Sequence, residues 1–114
     1  MKQYEIHFTP SALGDLRAVE GHIAEYSPVA AHAMRQRTVA KAEDLCVFPN
    51  RGKSISALGY YEPELRFVAE GKYYIFYKVI GEHVKICRIW HSARDPGKLL
   101  SLLDFNEAEE QDQK

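Results

Sequence analysis

The sequence has few of the features that mark secreted or membrane-bound proteins. It contains two cysteines, and Cys46 and Cys87 each lie in an apolar setting that predicts a buried, reduced thiol. No apolar run approaches the roughly 20 residues of a membrane helix, and no charged-then-apolar leader precedes the first strand pattern. We therefore expect a cytoplasmic protein that does not bind membranes.

Neither sign of charge dominates the chain, whose formal net charge is −1. Five acids and one lysine fall in residues 104–114, so residues 1–103 hold 14 basic and 11 acidic side chains, a formal +3. An excess this small does not by itself predict direct, sequence-specific nucleic-acid binding. It suits an acidic protein partner.

The cysteines and histidines also lack the sequence spacing that is typical of metal sites. The cysteines match no zinc pattern, and four of the histidines are scattered without an i, i+4 pair: His7, His22, His32 and His83. We expect neither a metal site nor a cofactor.

The length and the 46% apolar content predict one domain over residues 1–103, followed by an acidic, disordered tail at 104–114.

Tyr4, Ile6 and Phe8 alternate with polar residues, which indicates a half-buried strand. Thr9-Pro10 and Ser27-Pro28 are typical of helix starts, because Thr and Ser cap and Pro fits the first turn. The connection is short, so two antiparallel helices follow, the second ending near Val47.

The helices and the loop after them carry separate basic groups. Arg35, Arg37 and Lys41 lie within two turns of the second helix, and the loop 49–63 adds Arg51 and Lys53. These side chains are either solvated or in contact with a partner. On the first helix, Asp15 and Arg17 are expected to form a surface pair.

Three strands are predicted at 64–69, 72–80 and 84–90, with tight turns at Gly71 and Gly81. The middle strand is apolar on both alternating faces, so it is expected at the centre of the sheet. The resulting class is α+β: an N-terminal strand and an antiparallel α-hairpin packed on a small antiparallel sheet.

The segment after the last strand is apolar and has two possible conformations. Four leucines, which need cover from the core or from a partner, lie in one or two helical turns or in an extended edge: Leu99, Leu100, Leu102 and Leu103.

A polar cluster closes the third predicted strand. Together with Arg66 on the first of the three strands, His91 and Arg94 could bind phosphate, with His91 as acid or base. The structural alternative is an ion pair of Asp95 with Arg88 or Arg94, with His91 hydrogen-bonded nearby. In the loop, Tyr60 and Tyr61 are the better exposed candidates for stacking on RNA bases.

The order of these motifs resembles a known superfamily over roughly residues 3–97. Leu65-Arg66, the tyrosine-rich middle strand, Arg88-Ile89-Trp90-His91 and Arg94-Asp95 together are similar to the ParE/RelE toxins, and the ending is closer to the ParE branch. This resemblance implies a toxin that inhibits DNA gyrase by protein binding. It also implies a cognate antitoxin with an acidic, partly disordered segment, and toxin–antitoxin oligomers.

Two alternatives stay open. A RelE-like toxin would cut messenger RNA on the ribosome with Arg66, His91 and Arg94, although no tyrosine follows Tyr77 where that branch often has one. A protein of the same fold can also be a non-toxic binding module. Under the leading hypothesis, partner contacts fall on the basic and leucine residues: Arg35, Arg37, Lys41, Arg51, Lys53, Arg66, Leu99, Leu100, Leu102 and Leu103.

Overall fold

The computed structural model describes residues 2–103. In chain order it contains β1 (Glu5–Phe8), α1 (Pro10–Ala24), α2 (Pro28–Glu43), β2 (Lys53–Ser54), β3 (Arg66–Glu70), β4 (Tyr73–Ile80), β5 (His83–His91) and a final helix, α3, over residues 96–103. The predicted tail at 104–114 lies outside the described residues. Within those residues, no helix has both the length and the apolar character needed to cross a bilayer.

Both predicted helix starts are confirmed. The Thr9 side chain accepts a hydrogen bond from the amide of Ala12 at 3.0 Å, and Ser27 accepts one from Ala30 at 3.1 Å. Each bond satisfies an amide that has no partner within its own helix. The second helix ends at Glu43, earlier than predicted, and a 3₁₀ turn follows over Asp44–Cys46.

The five strands form one sheet in the order β1-β5-β4-β3-β2. The three predicted strands of the meander are present within about two residues of their expected ends and pair antiparallel. The tyrosine-rich β4 is the central strand, as its two apolar faces predicted. The N-terminal strand, which the sequence did not position, pairs parallel with β5 and makes the sheet mixed.

Each face of the sheet has its own apolar core. We call the face under α1 and α2 the helix face: there Ala12, Ala42 and Leu45 pack on Ile75, Tyr77 and other strand residues. On the opposite face, Ile55, Leu65, Leu99 and Leu103 cover a second set that includes Phe76 and Trp90. Cover on both sides explains why β4 lacks polar alternation. The predicted α+β arrangement is confirmed.

Candidate functional site

The segment of residues 48–53, here called the basic loop, is fixed to the helix face by Tyr77. The Tyr77 hydroxyl donates to the Pro49 carbonyl at 2.6 Å and accepts from the Gly52 amide at 3.0 Å. Tyr77 is fully buried. Burial raises the pKa of Tyr77, and the Gly52 amide and the nearby guanidinium charges oppose this only in part. A neutral tyrosine therefore holds the loop from inside the core.

Arg66 makes a second attachment to the same loop. Its Nη1 donates to the carbonyl of Gly52 at 2.8 Å and to that of Asn50 at 3.2 Å. Because Arg66 lies opposite Tyr77 in the β3–β4 ladder, the two side chains hold the loop as neighbours. The Arg66 guanidinium is thus directed at backbone carbonyls, and it is half-buried.

Gly52 allows this close approach. A Cβ built at this residue would collide with the Tyr77 hydroxyl and would lie 2.8 Å from the Phe67 carbonyl oxygen. The backbone at Gly52 has an ordinary negative φ, so the requirement is for space and not for an unusual conformation. Glycine density in the sequence indicated only a flexible loop here; the buried partner was visible in no local pattern.

The outer side of the basic loop presents an aromatic ring and two cations. Phe48 has a left-handed backbone, with φ of 52°, and its residue surface is 68% exposed. Arg51 and Lys53 are also exposed. A shallow cavity of about 350 Å³ is lined by Phe48, Arg51, Lys2, Tyr4 and their neighbours. An exposed phenyl ring beside cations is suited to an apolar and acidic protein surface.

The basic residues predicted on α2 differ in availability. Arg35 lies 3.2 Å from Glu20 and thereby joins α2 to α1. Arg37 is more exposed and approaches Glu70 at 3.9 Å, a distance that holds it only weakly. Lys41 is half-buried in the last turn. Arg37 is accordingly the most accessible of the three to a partner.

The C-terminal leucines divide between core and surface. Leu99 and Leu103 are buried in the core of the opposite face, which also contains Trp90. Leu100 is half-buried against the same core, and Leu102 is 36% exposed. The core therefore supplies the cover that Leu99 and Leu103 need, and Leu102 is the one of the four that faces outward.

Arg66 does not come together with the other residues predicted for nuclease chemistry. Arg66 lies opposite Tyr77 and His91 lies opposite Tyr73, on strands to either side of β4. Arg66 and His91 are therefore four residues, or roughly 13 Å, apart measured parallel to the strands, and they are further apart because β4 lies between their strands. His91 Nδ1 accepts from the Ala93 amide, and Arg94 stacks on Trp90 with its Cζ 3.9 Å from the ring centroid.

The predicted pairing of Asp15 with Arg17 is wrong. Asp15 instead accepts from Arg88 Nε and Nη2 at 2.7 and 2.8 Å, and from the Ile89 amide at 3.0 Å. Arg88 lies beside a bulge in β5, where the pairing with β4 shifts by one residue. Side chains two residues apart on a helix do not face each other, so Asp15 contacts β5 and not Arg17.

The predicted ion pairs of Asp95 are also wrong, because its carboxylate has other partners. Oδ1 accepts from the Tyr60 hydroxyl and from the Gly97 amide, each at 2.9 Å. The hydrogen bond from the Gly97 amide contributes most to lowering the pKa of Asp95, and the bond from the Tyr60 hydroxyl adds to it. The bond between Tyr60 and Asp95 also raises the pKa of Tyr60. These bonds hold the loop that carries Tyr60 against the start of α3. Tyr60 is thus occupied, whereas Tyr61 is 83% exposed.

The cysteine prediction is confirmed for one thiol. Cys87 is buried and Cys46 is only half-buried, and neither forms a disulfide.

The sequence matches a family model along most of its length. The model is described as "ParE toxin of type II toxin-antitoxin system, parDE", and it covers residues 6–96. The chain belongs to this ParE toxin family. The predicted resemblance to the ParE/RelE superfamily is therefore confirmed, and the protein is a type II toxin of that family.

A curated relative of this ParE-family toxin carries a RelE name. "Toxin RelE2" of Caulobacter vibrioides is 36% identical over 91 residues, which span 79% of this chain and 97% of the relative. The two proteins thus match over almost the whole relative.

Solved structures share the fold of this ParE-family toxin. A chain of the chromosomal ParDE toxin–antitoxin system from P. aeruginosa superposes with a TM-score of 0.65 at 22% identity, covering 78% of this chain and 96% of the other. A chain of the RelBE2 toxin–antitoxin complex from Mycobacterium tuberculosis gives 0.52 at 26%, covering 78% and 98%.

Proposed function

We propose that this ParE-family toxin inhibits DNA gyrase by binding it, and that a cognate antitoxin neutralises the toxin. The separation of Arg66 from His91 and Arg94 carries the proposal. A phosphoryl-transfer site needs its charged and acid–base groups around one reacting phosphate, and Arg66 lies too far along the sheet from His91 to share one with it. The membership of the ParE family supports the same conclusion.

The basic loop is the surface we assign to the target. Tyr77 and Arg66 hold its backbone, so little conformational freedom is lost when the loop binds. Phe48 provides an exposed aromatic anchor, and Arg51 and Lys53 provide charge at its rim. Buried aromatic groups and arginine contribute most to protein interfaces, which makes this loop the strongest candidate on the described surface.

The antitoxin is proposed to contact a different set of groups. Two similar structures come from toxin–antitoxin systems, which supports a partner of this kind. An acidic segment would meet Arg37 and Lys41 on α2, with Arg35 held by Glu20 as a structural support. Leu100 and Leu102 would add apolar contact at α3, where Leu99 and Leu103 are already buried.

A supercoiling assay tests the gyrase proposal. We expect the purified toxin to block supercoiling by gyrase or to trap cleaved DNA, and the cognate antitoxin to restore activity. A Phe48→Ala/Arg51→Ala/Lys53→Ala variant should lose inhibition. The matched control, Tyr61→Ala/Lys72→Ala, removes an even more exposed ring and an exposed lysine elsewhere and should inhibit normally. Normal supercoiling in the presence of folded toxin contradicts the proposal.

Messenger cleavage on the ribosome is the second candidate, and the relative named Toxin RelE2 favours it. A translation reaction programmed with a defined messenger distinguishes the two. Gyrase inhibition predicts intact messenger and equal toxicity of wild type and His91→Ala. Messenger that is cut by the wild type and spared by His91→Ala would establish the nuclease instead. Harmless expression of a folded product that affects neither target would identify a binding module.

A further inference from the structure

Three metal-ligating side chains meet at the edge of the sheet, where the sequence predicted scattered histidines and no metal site. They are Glu5, His7 and His83, and all of their nearest ligand atoms lie within 4.8 Å of one another. We propose that this trio is a binding site for a divalent transition metal, with zinc as the ion that fits its ligands best. The site is independent of the proposed gyrase inhibition.

Strand pairing creates the trio. Glu5 lies opposite His83 in the parallel β1–β5 ladder, and His7 follows Glu5 by two residues, so both β1 side chains point to the same face. Ile6, between them, packs in the core of the helix face. The three ligands therefore project from the opposite face, and each is more than half exposed, which leaves the site open to ions from solvent.

The distances are close to those of a tetrahedral site. His7 Nε2 lies 2.9 Å from His83 Nδ1, and the Glu5 Oε2 oxygen lies 3.3 Å from each of these nitrogens. Zinc bonds of 2.0–2.1 Å to nitrogen and oxygen place neighbouring tetrahedral ligands about 3.3 Å apart. Two edges of the triangle already have this length, and the third needs to widen by only a few tenths of an ångström.

The chemistry of the three atoms matches as well. At 2.9 Å, one imidazole nitrogen donates a hydrogen to the other, and a metal ion would take the place of this shared hydrogen. Two neutral imidazoles and one carboxylate are a common zinc set, and they leave a fourth position for water. Lys85 lies opposite His7 in the ladder, and its positive charge opposes a bound cation. The ligand set must therefore outweigh one nearby like charge.

Binding would connect distant parts of the chain. The ligands come from residues 5, 7 and 83, so an ion that binds all three binds the folded state in preference to the unfolded chain. Strand β1 forms the edge of the sheet and leads directly into α1 through Thr9. A bound metal would accordingly hold β1 on β5 and stabilise the attachment of the α-hairpin.

Zinc titration of the full chain tests the site. The protein is purified with a tag that binds no metal, stripped with a chelator, and carries Cys46→Ser to remove the more accessible thiol. We expect one zinc per chain by calorimetry, and with Co²⁺ the visible absorption of a tetrahedral complex. At zinc a hundredfold above Kd, Tm should rise by roughly 10 °C.

Variants assign the binding to these ligands. His83→Ala and His7→Ala should each weaken zinc binding by roughly tenfold or more, because loss of even an outer-shell partner costs about that much. The control His22→Ala/His32→Ala removes two exposed histidines on the helices and should bind zinc like the parent. Glu5→Gln keeps the size of the side chain and removes its charge, so it should also weaken binding.

The outcomes are distinct. Parent protein that binds zinc no more tightly than His83→Ala contradicts the site and leaves the trio as a surface ion pair. Equal losses in the His22→Ala/His32→Ala control would show non-specific binding and would also overturn it. Gyrase inhibition by a His83→Ala toxin should equal that of the parent in either case, which separates this test from that of the proposed function.

Discussion

Asp15 on α1 accepts hydrogen bonds from Arg88 on β5 with both carboxylate oxygens, at 2.7 and 2.8 Å. One of these oxygens also accepts from the Ile89 amide. The Arg88 side chain is only 12% exposed, and that of Asp15 is 15% exposed. A pair removed from water in this way leaves a costly buried charge when one partner is deleted. It also fixes where α1 crosses the bulged strand.

Deleting one member of this pair should strongly destabilise the protein. We expect Asp15→Ala to lower the free energy of unfolding by about 3 kcal/mol, because Arg88 stays buried without its counter-ion. Denaturant unfolding followed by circular dichroism measures the loss. Arg17→Ala, on the exposed side of the same helix, should change it by less than about 0.5 kcal/mol. Equal losses of unfolding free energy in Asp15→Ala and Arg17→Ala would contradict the buried pair of Asp15 with Arg88.

Gly52 should tolerate no side chain. Gly52→Ala places a Cβ against the Tyr77 hydroxyl and the Phe67 carbonyl oxygen, so we expect a loss of about 1–3 kcal/mol in unfolding free energy. Gly14→Ala is the matched control, because nothing lies within 4 Å of its Cβ. In the interior of α1 that change should stabilise by up to about 1 kcal/mol. A neutral Gly52→Ala would contradict the close packing of the basic loop.

Tyr77 should make the protein sensitive to alkali. Its pKa is raised by burial, so above pH 10 the unfolded chain loses a proton that the folded protein keeps, and stability falls as the pH rises. Unfolding free energies between pH 8 and pH 11 should fall less steeply in Tyr77→Phe. At neutral pH this variant should be less stable by about 1–3 kcal/mol, because the Pro49 carbonyl and the Gly52 amide lose their partner.

Tyr26→Phe is the control for the alkaline measurement. Tyr26 is 79% exposed, so its replacement should leave the dependence on pH unchanged. Identical slopes for wild type and Tyr77→Phe would mean that Tyr77 titrates as it does in the unfolded chain.

The leucines of α3 should separate by burial. Leu99 is fully buried, and Leu99→Ala should cost about 2–4 kcal/mol through the lost contacts and the cavity left behind. Leu102→Ala, at 36% exposure, should cost less than about 1 kcal/mol. Thermal unfolding of both variants measures the difference. Similar small losses would mean that α3 does not cover the opposite face in solution.

Local patterns determined most of the fold. The caps at Thr9 and Ser27, the glycines at the two hairpin turns and the apolar run of β4 each act through neighbours in sequence. The strands and helices were therefore predictable within a few residues. The end of α2 was not, because a contact with the N-terminal segment competes there: the Cys46 carbonyl accepts from the Tyr4 amide.

The functional groups were less predictable, since they depend on contacts between distant residues. Arg66 and His91 looked like one cluster because the strands that carry them are close in sequence. The ladder register places them at different levels of the sheet. Conversely, His7 and His83 looked unrelated, although the alternation of Glu5 and His7 on one face of β1 was a signal that could have been read.

The elements, the central position of β4 and the family were predictable from the residues alone, because periodicity, capping and turn residues are properties of neighbouring residues. The partners of Asp15, the anchoring of the basic loop by Tyr77 and the contact of His7 with His83 became visible in the folded chain. Those contacts join residues between 25 and 76 positions apart, and they depend on strand register and on how α1 packs across β5.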